Sequence, residues 1–255
     1  MSETFSVADK VVVITGAGQG LGRTFAKAFA SGGAHVVIAE RNIEKAHAVE
    51  REIAAGNGHA TVIETDVADE ESVNRLGASI ERSFGRADVL INNAAIFSTL
   101  EMRPFDQIPL IEWEQVLRVN VTGPFLCARA ILPLMRRNKW GRIVNMASGA
   151  VTLGRPNYLH YIASKSALVG MTHSMARELG ADGITVNAVL PGATFTEIPR
   201  KTVTPEQKER IVAMQCIARP QVPDDLVGVI LFLASDASAF MTGQALTVDG
   251  GATHP

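Results

Sequence analysis

What most constrains this chain is an alternation of short β-branched runs with longer stretches of helical patterning. The runs fall at residues 10–15, 35–39, 60–64, 88–91, 141–146, 184–189 and 245–248, and the helical stretches between them include 42–55, 70–84, 113–138 and 164–179. Runs such as Val11-Val12-Val13-Ile14 are apolar throughout, which suits a parallel sheet covered on both faces. The βαβα order predicts an α/β, single-domain Rossmann fold: a doubly wound, seven-stranded parallel sheet with right-handed crossovers and helices on both faces. A chain of 255 residues can bury one large core or two small ones, but no repeat, low-complexity tract or linker divides it, so one domain over 1–255 is expected. The least regular stretch, 194–223, carries Pro199, Pro205, Pro220 and Pro223 around a short helical pattern at 206–214. An insert of that kind after a strand's carboxyl end commonly forms a lid over a ligand.

The first run leads directly into Thr15-Gly16-Ala17-Gly18-Gln19-Gly20-Leu21-Gly22, with helical patterning from Arg23. Glycines let the backbone turn sharply and approach a pyrophosphate, and the helix that follows offers N–H groups and a positive dipole end. The spacing, Gly16-x3-Gly20-x-Gly22, differs from the G-x-G-x-x-G fingerprint. Glu40 closes the second run, where a carboxylate can accept hydrogen bonds from ribose hydroxyls and would repel a 2′-phosphate. Arg41 could pair with that phosphate, whereas Gln19 adds no positive charge to the turn, so NAD is the favoured cofactor and NADP the less favoured one. A solvated Glu40–Arg41 pair at a strand end reads the same residues without a ligand. Asp66, with the Val67 backbone, could hydrogen-bond an adenine edge; an Asp capping the following helix is an equally good account. Asn92-Asn93-Ala94-Ala95 ends the fourth run at the same edge.

Tyr161 and Lys165 stand four apart at the opening of a helical stretch and therefore share a face. A nearby ammonium favours the phenolate, drawing the phenol's pKa down from about 10 and making it a plausible acid/base. Ser148, closing the fifth run, could donate to a substrate oxygen as charge develops there, although buried serines usually bond to backbone. Asn120 lies in the longest helical stretch beside Gly123-Pro124, a pair able to distort it and release a carbonyl to hold a water near Lys165. Tyr158 lacks such a partner, since Ile162 stands four residues on.

In order and spacing, Thr15-Gly16-x3-Gly20-x-Gly22, Asn92-Asn93-Ala94, Asn120, Ser148, Tyr161-x3-Lys165, Pro191-Gly192 and Val248-Asp249-Gly250-Gly251 resemble the short-chain dehydrogenase/reductase family over essentially the whole chain. The resemblance implies a cofactor-bound oxidoreductase with Tyr161 as general acid/base and Ser148 as donor to the carbonyl oxygen. It implies that Lys165 binds the nicotinamide ribose and depresses the Tyr161 pKa, and that Asn120 holds a relay water. Backbone around Thr194 and the Thr196 hydroxyl, following Pro191-Gly192-Ala193, would grip the carboxamide, and Gly16, Gln19, Gly20, Leu21, Gly22, Glu40, Asp66, Val67 and Asn93 would hold the rest of the dinucleotide. Ala95 departs from the family's Asn-Asn-Ala-Gly and puts in doubt any geometry there that needs a positive φ. The resemblance further implies a homotetramer built partly on the long helices beginning near Trp113 and Ser164; Leu168 and Met171 could face outward or belong to the core.

Substrate walls are expected from Phe97, Ala150, Tyr158, Phe195 and the 194–214 region, which points to an uncharged secondary alcohol or ketone, apolar or aromatic. The segments 135–142 and 218–223 are similar to members acting on aryl secondary alcohols. An NADP-dependent 3-oxoacyl thioester reductase is the alternative, and a non-catalytic NAD-binding regulator is an alternative of another class. Composition narrows the partners: a net charge of −2 argues against a nucleic-acid surface. Cys127 and Cys216 match no disulfide or zinc pattern, and the six histidines form no ligand-like cluster, so no metal is expected. Residues 1–10 carry no secretion signal and no apolar run approaches ~18 residues, so a cytoplasmic location without a membrane span is expected.

Overall fold

The computed structural model describes residues 3–199 and 204–254; part of the expected lid, residues 200–203, lies outside the described residues. Seven strands, β1 Val11–Thr15, β2 His35–Glu40, β3 His59–Glu64, β4 Val89–Asn92, β5 Gly141–Met146, β6 Ile184–Pro191 and β7 Ala245–Val248, form one sheet in the order β3-β2-β1-β4-β5-β6-β7. Every pairing is parallel, with Ile14 opposite Ile38 on one side and Ile91 on the other. This is a single-domain Rossmann-type fold, and its strand order reverses between β1 and β4, where open α/β sheets bind ligands.

Successive β1 residues point to opposite faces, so one strand feeds two cores. Val12 and Ile14 pack with Phe25 and Phe29 of α1 (Gly20–Ser31) and with Leu226, Ile230 and Leu233. Val11 and Val13 pack on the other face with Leu76 and Ile80, and with Leu126, Ile131 and Met135. Leu226, Ile230 and Leu233 come from α9 (Asp224–Leu233), which lies beside α1. The second face is built from α3 (Glu70–Phe84) and α5 (Gly123–Asn138). Between α1 and α3, α2 (Ile43–Ala55) starts where the Asn42 side chain accepts the Lys45 N–H, an ordinary N-cap.

The stretch expected as one helix over 113–138 is interrupted. It begins earlier, as α4 (Leu110–Leu117), winds through a π-helical turn at Arg118–Thr122 and continues as α5. The cause is Pro124, whose missing N–H breaks the regular ladder, so the Gly123 N–H reaches back to the Arg118 carbonyl instead. A short α6 (Ala150–Leu153) follows β5, and α7 (Leu159–Leu179) starts five residues before the expected 164, with Tyr161 inside its first turn. Leu168 of α7 is buried with Ala147, Ala188 and Leu190, so it is core and no part of an outward face; Met171 packs partly buried beside it. In the lid region α8 (Pro205–Ala213) opens on a reciprocal capping box between Thr204 and Gln207. Among the described residues no helix is long and apolar enough to cross a membrane, and no group of three or more His, Cys, Asp or Glu could hold a metal ion.

Candidate active site

The end of β1 and the end of β4 are stapled across the switch point. The Thr15 hydroxyl accepts the N–H groups of Asn93 (3.0 Å) and Ala94 (3.1 Å), and the Asn93 amide donates to the carbonyls of Thr15 (3.0 Å) and Gly16 (3.1 Å). Asn93 therefore holds the glycine turn in place first, whatever else it touches. A Cβ at Gly22 would stand 2.3 Å from the Gly16 carbonyl oxygen, so only glycine lets α1 pack on its own approach turn. Gly16 at φ +65° and Gly20 at φ +55° occupy the left-handed region that the turn requires.

This turn presents an uncapped helix terminus. Gln19 at the N-cap of α1 makes no side-chain capping bond, and two carboxylates are drawn in: Glu40 accepts the Gly18 N–H (3.1 Å) and Glu197 the Gly20 N–H (2.9 Å). A terminus that gathers anions is chemically suited to a dinucleotide pyrophosphate, so the residues present fit a nicotinamide dinucleotide. The Glu40 carboxylate is pinned by a second bond from the Asn42 N–H (2.9 Å), at the height expected for an adenosine ribose. Two cations flank it: Arg41 lies 3.9 Å from Asp66, and Lys45 donates to the Gln19 side chain. Lys45 was not read from the sequence because it stands on α2, remote from the turn until the fold forms. Asp66 accepts the Ala68 N–H (2.9 Å), and the cap of α3 is Asp69, so of the two readings of Asp66 helix capping falls away.

A cavity of about 790 Å³ runs from this turn along the carboxyl edge of the sheet. Gly16, Gln19, Leu21, Glu40, Asp66, Val67 and Asn93 line its first part; Ser148, Ala150, Tyr158, Tyr161, Lys165, Pro191, Gly192, Thr194 and Thr196 line the rest. Gly20, Gly22 and Asn120 are not on its lining. Phe195 is a correction: it does not line the cavity, and its ring lies 4.8 Å from Lys208 Nζ. The segment is extended, with Thr194 bridged to Gln221, so Thr194 and Thr196 face the cavity while the residue between them faces away. Gln221, which sequence reading had not singled out, holds that edge by donating to the Val248 carbonyl (2.7 Å).

Around the tyrosine the side chains are buried. Lys165 is 3% exposed, its Nζ donates to the Met146 carbonyl (2.6 Å) and lies 5.8 Å from the centre of the Tyr161 ring; burial pushes its pKa down to about 8. The Ser148 hydroxyl accepts the Ala150 N–H at 3.2 Å, which aims it along the start of α6. The Phe97 ring packs tilted against Tyr161, with centroids 4.5 Å apart, and 5.9 Å from Tyr158, forming an aromatic wall. Asn120 is fully buried; its amide accepts the Ile96 N–H (2.8 Å) and donates to the Ile96 carbonyl and to Ser164 Oγ, both at 3.1 Å. Ser164 in turn donates to the Tyr161 carbonyl (2.7 Å), so Asn120 ties the π turn to the first turn of α7. The side chain is thus committed to structure, and the group left to hold a water is the backbone carbonyl, whose regular helical donor would be the N–H that Pro124 lacks. Ala95 is not among the non-glycine residues at positive φ, so replacing the family's glycine costs no backbone strain.

Glu197 was invisible to sequence reading, since nothing local marks a carboxylate 177 residues from the turn as its partner. A pyrophosphate needs the N–H groups that it occupies, and the two negative charges repel. Glu197→Gln is therefore expected to lower the Kd for NADH by about threefold to tenfold, the scale of one partly exposed charge at a helix terminus; fluorescence titration reads it, and an unchanged Kd would show that carboxylate and dinucleotide do not compete.

Residues 16–253 match a family model described as enoyl-(acyl carrier protein) reductase. The chain is 38% identical over 245 residues to the 3-oxoacyl-[acyl-carrier-protein] reductase of Synechocystis, covering 95% of this chain and 96% of that protein. Among solved structures it is similar to a gluconate 5-dehydrogenase from Burkholderia cenocepacia in complex with NADP and tartrate, with a TM-score of 0.92 at 33% identity, covering 98% and 97% of the two chains. A 7α-hydroxysteroid dehydrogenase complexed with NADH and a 7-oxo bile acid superposes with a TM-score of 0.93 at 32% identity and the same coverage. A family match over nearly the full length, with relatives above 30% identity at full coverage, means that the chain belongs to the short-chain dehydrogenase/reductase family of NAD(P)-binding oxidoreductases.

Proposed function

We propose that this oxidoreductase interconverts a secondary alcohol and a ketone, with NAD preferred over NADP and Tyr161 as the acid/base. The observation that carries the reading is that Ser148, Tyr161 and Lys165 line the same cavity as an uncapped, anion-gathering glycine turn. A nicotinamide held in this cavity would supply the hydride acceptor for the alcohol and the hydride donor for the ketone. In oxidation the Tyr161 phenolate accepts the hydroxyl proton, and in reduction the phenol returns it. Ser148 Oγ donates to the substrate oxygen as negative charge develops there. The buried Lys165 ammonium favours the phenolate and would hold the ribose of a bound nicotinamide. The Asn120 carbonyl holds a water that passes the proton outward, while Thr194, Thr196 and Pro191-Gly192 orient the carboxamide.

NAD preference rests on Glu40, whose pinned carboxylate accepts from ribose hydroxyls and repels a 2′-phosphate. Arg41 and Lys45 at the same corner favour a second reading, an NADP-dependent 3-oxoacyl thioester reductase. Phe97, Ala150 and Tyr158 give the reacting carbon an apolar, aromatic neighbour. Exposed Leu110, Ile111 and Phe125 on α4 and α5 are consistent with pairing into a homotetramer, which we propose together with a cytoplasmic location.

A screen of alcohols and ketones with both cofactors, read by nicotinamide absorbance, tests these readings. Aryl secondary alcohols are expected to turn over with NAD at a kcat/KM at least about tenfold above that with NADP, one repelled charge being worth roughly that factor. Turnover of oxoacyl thioesters with NADPH alone would overturn the first reading for the second. NADH binding without turnover anywhere in the panel would leave a regulator.

A further inference from the structure

Most guanidinium groups of this protein have a carboxylate: Arg23 pairs with Glu52, Arg86 with Asp88, Arg103 with Glu112 and Arg219 with Asp225. Arg155 does not. It is half-buried, lines the same cavity as Tyr161, and among the described residues forms no ion pair; its guanidinium lies over the Tyr158 ring, 4.9 Å from the centroid. The aromatic chain from Arg155 through Tyr158 (5.9 Å to Phe97) and Phe97 (4.5 Å to Tyr161) leads straight to the acid/base, with Tyr158 only 1% exposed. Arg155 therefore stands beside the apolar wall of the substrate end, on the lining of the same cavity. That end follows β5, whereas the adenosine end lies over β2 and β3, three strands away across the sheet.

The cavity's own carboxylates cannot serve this guanidinium. Glu40 and Asp66 sit at the adenosine end, and Asp249 is already taken by the N–H groups of Gly251, Ala252 and Thr253 and by the Thr253 hydroxyl. A second guanidinium, Arg210 of α8, lines the same cavity and forms no ion pair among the described residues. Arg155 is half-buried with no counter-charge beside it among the described residues, a situation that an incoming anion relieves and that a neutral ligand does not. Guanidinium geometry matches a carboxylate through paired N–H donors, and stacking on Tyr158 fixes the plane from which Arg155 donates.

We infer that Arg155 recognises a carboxylate on the substrate, so that the alcohol or ketone is a hydroxy or oxo acid. Its apolar segment, lying against Phe97 and Tyr158, separates the reacting carbon from the anionic group. The inference rests on the reading of Ser148 and Tyr161 as the reacting end, and it refines the uncharged substrate expected from the sequence. Arg155 acts here as a specificity residue: it touches the substrate far from the carbon that changes.

The test compares 4-acetylbenzoate with its methyl ester, and the corresponding alcohols in the oxidative direction. The wild-type enzyme is expected to favour the acid by about tenfold or more in kcat/KM, the scale of one charge-assisted hydrogen-bonded pair. Arg155→Met should bring that ratio close to one, with the loss expressed in KM; Arg155→Glu, a second variant, should reverse it. Arg177→Met, on the exposed face of α7 outside the cavity, should leave the ratio where it is. Equal kcat/KM for acid and ester in the wild type, or a ratio unmoved by both Arg155 variants, overturns the carboxylate assignment and leaves the reaction standing. Absence of turnover across these compounds and the wider panel overturns the reaction instead. The carboxylate site is then decided by binding of 4-acetylbenzoate to the enzyme–NADH complex, read by NADH fluorescence: a Kd raised tenfold in Arg155→Met supports it, and an unchanged Kd overturns it.

Discussion

Tyr161→Phe is expected to lower kcat by about a thousandfold while changing the Kd for NADH by less than about threefold. The substitution removes one oxygen and keeps the ring, so the tilted 4.5 Å packing against Phe97 and the packing of the α7 first turn persist. What is lost is the group that exchanges a proton with the substrate oxygen, a contribution that general acid–base catalysis sets at about 10²- to 10⁴-fold. Ser148 cannot replace it: an aliphatic hydroxyl is far less acidic than a phenol. In the proposed reading most of the dinucleotide would be held by the turn at 16–22 and the Pro191-to-Thr196 edge, which line the same cavity, so its affinity should barely move. Single-turnover reduction and NADH fluorescence titration measure the two quantities separately. Retention of kcat within tenfold would mean that another group moves the proton, and the assignment of Tyr161 would fail.

The α/β layering was legible because a doubly covered parallel strand has no polar face to disguise it, and the seven runs fell within one or two residues of β1 to β7. Tyr161, Lys165 and Ser148 were legible for a related reason: helix periodicity and strand ends fix where neighbouring residues point. The π turn was foreshadowed by Gly123-Pro124, since a missing N–H is a local fact. Groups acting across long sequence separations were not legible. Glu197 reaches Gly20, Lys45 reaches Gln19, Gln221 holds Thr194, and buried His160 meets Glu112 at 3.1 Å, all through tertiary folding. Phe195 was misplaced because its direction depends on which residue of an extended segment meets Gln221 first, a register that composition does not carry. The same limit hid Arg155, whose meaning comes from the carboxylates that the fold keeps away from it.

Lys165→Met is expected to abolish useful activity and yet make the protein more stable at pH 7. Lys165 is buried and, among the described residues, has no carboxylate partner; burial pushes its pKa from 10.5 down to about 8. Because the folded value lies below the unfolded one, the unfolded chain binds more protons between about pH 8 and 10.5, and stability rises with pH across that window. Below pH 8 the whole penalty is in force. The gap from 10.5 to about 8, at 1.36 kcal/mol per pH unit, corresponds to about 3 kcal/mol. Methionine keeps an unbranched chain of similar length and carries no charge, so it relieves that penalty. It also leaves the Met146 carbonyl without its 2.6 Å donor, which returns about 1 kcal/mol of the gain. A net stabilisation of about 2 kcal/mol at pH 7 follows, a rise in Tm of roughly 4–8 °C for a domain of this size. The advantage should shrink as pH rises from 8 towards 10.5, because the wild-type lysine sheds its proton and its cost together. Thermal unfolding of both proteins at pH 7 and pH 10, at one protein concentration and without nucleotide, measures this directly. A variant less stable than the wild type at pH 7 would mean that the ammonium is better solvated than its burial implies, and that the active-site charge is carried at no cost to the fold.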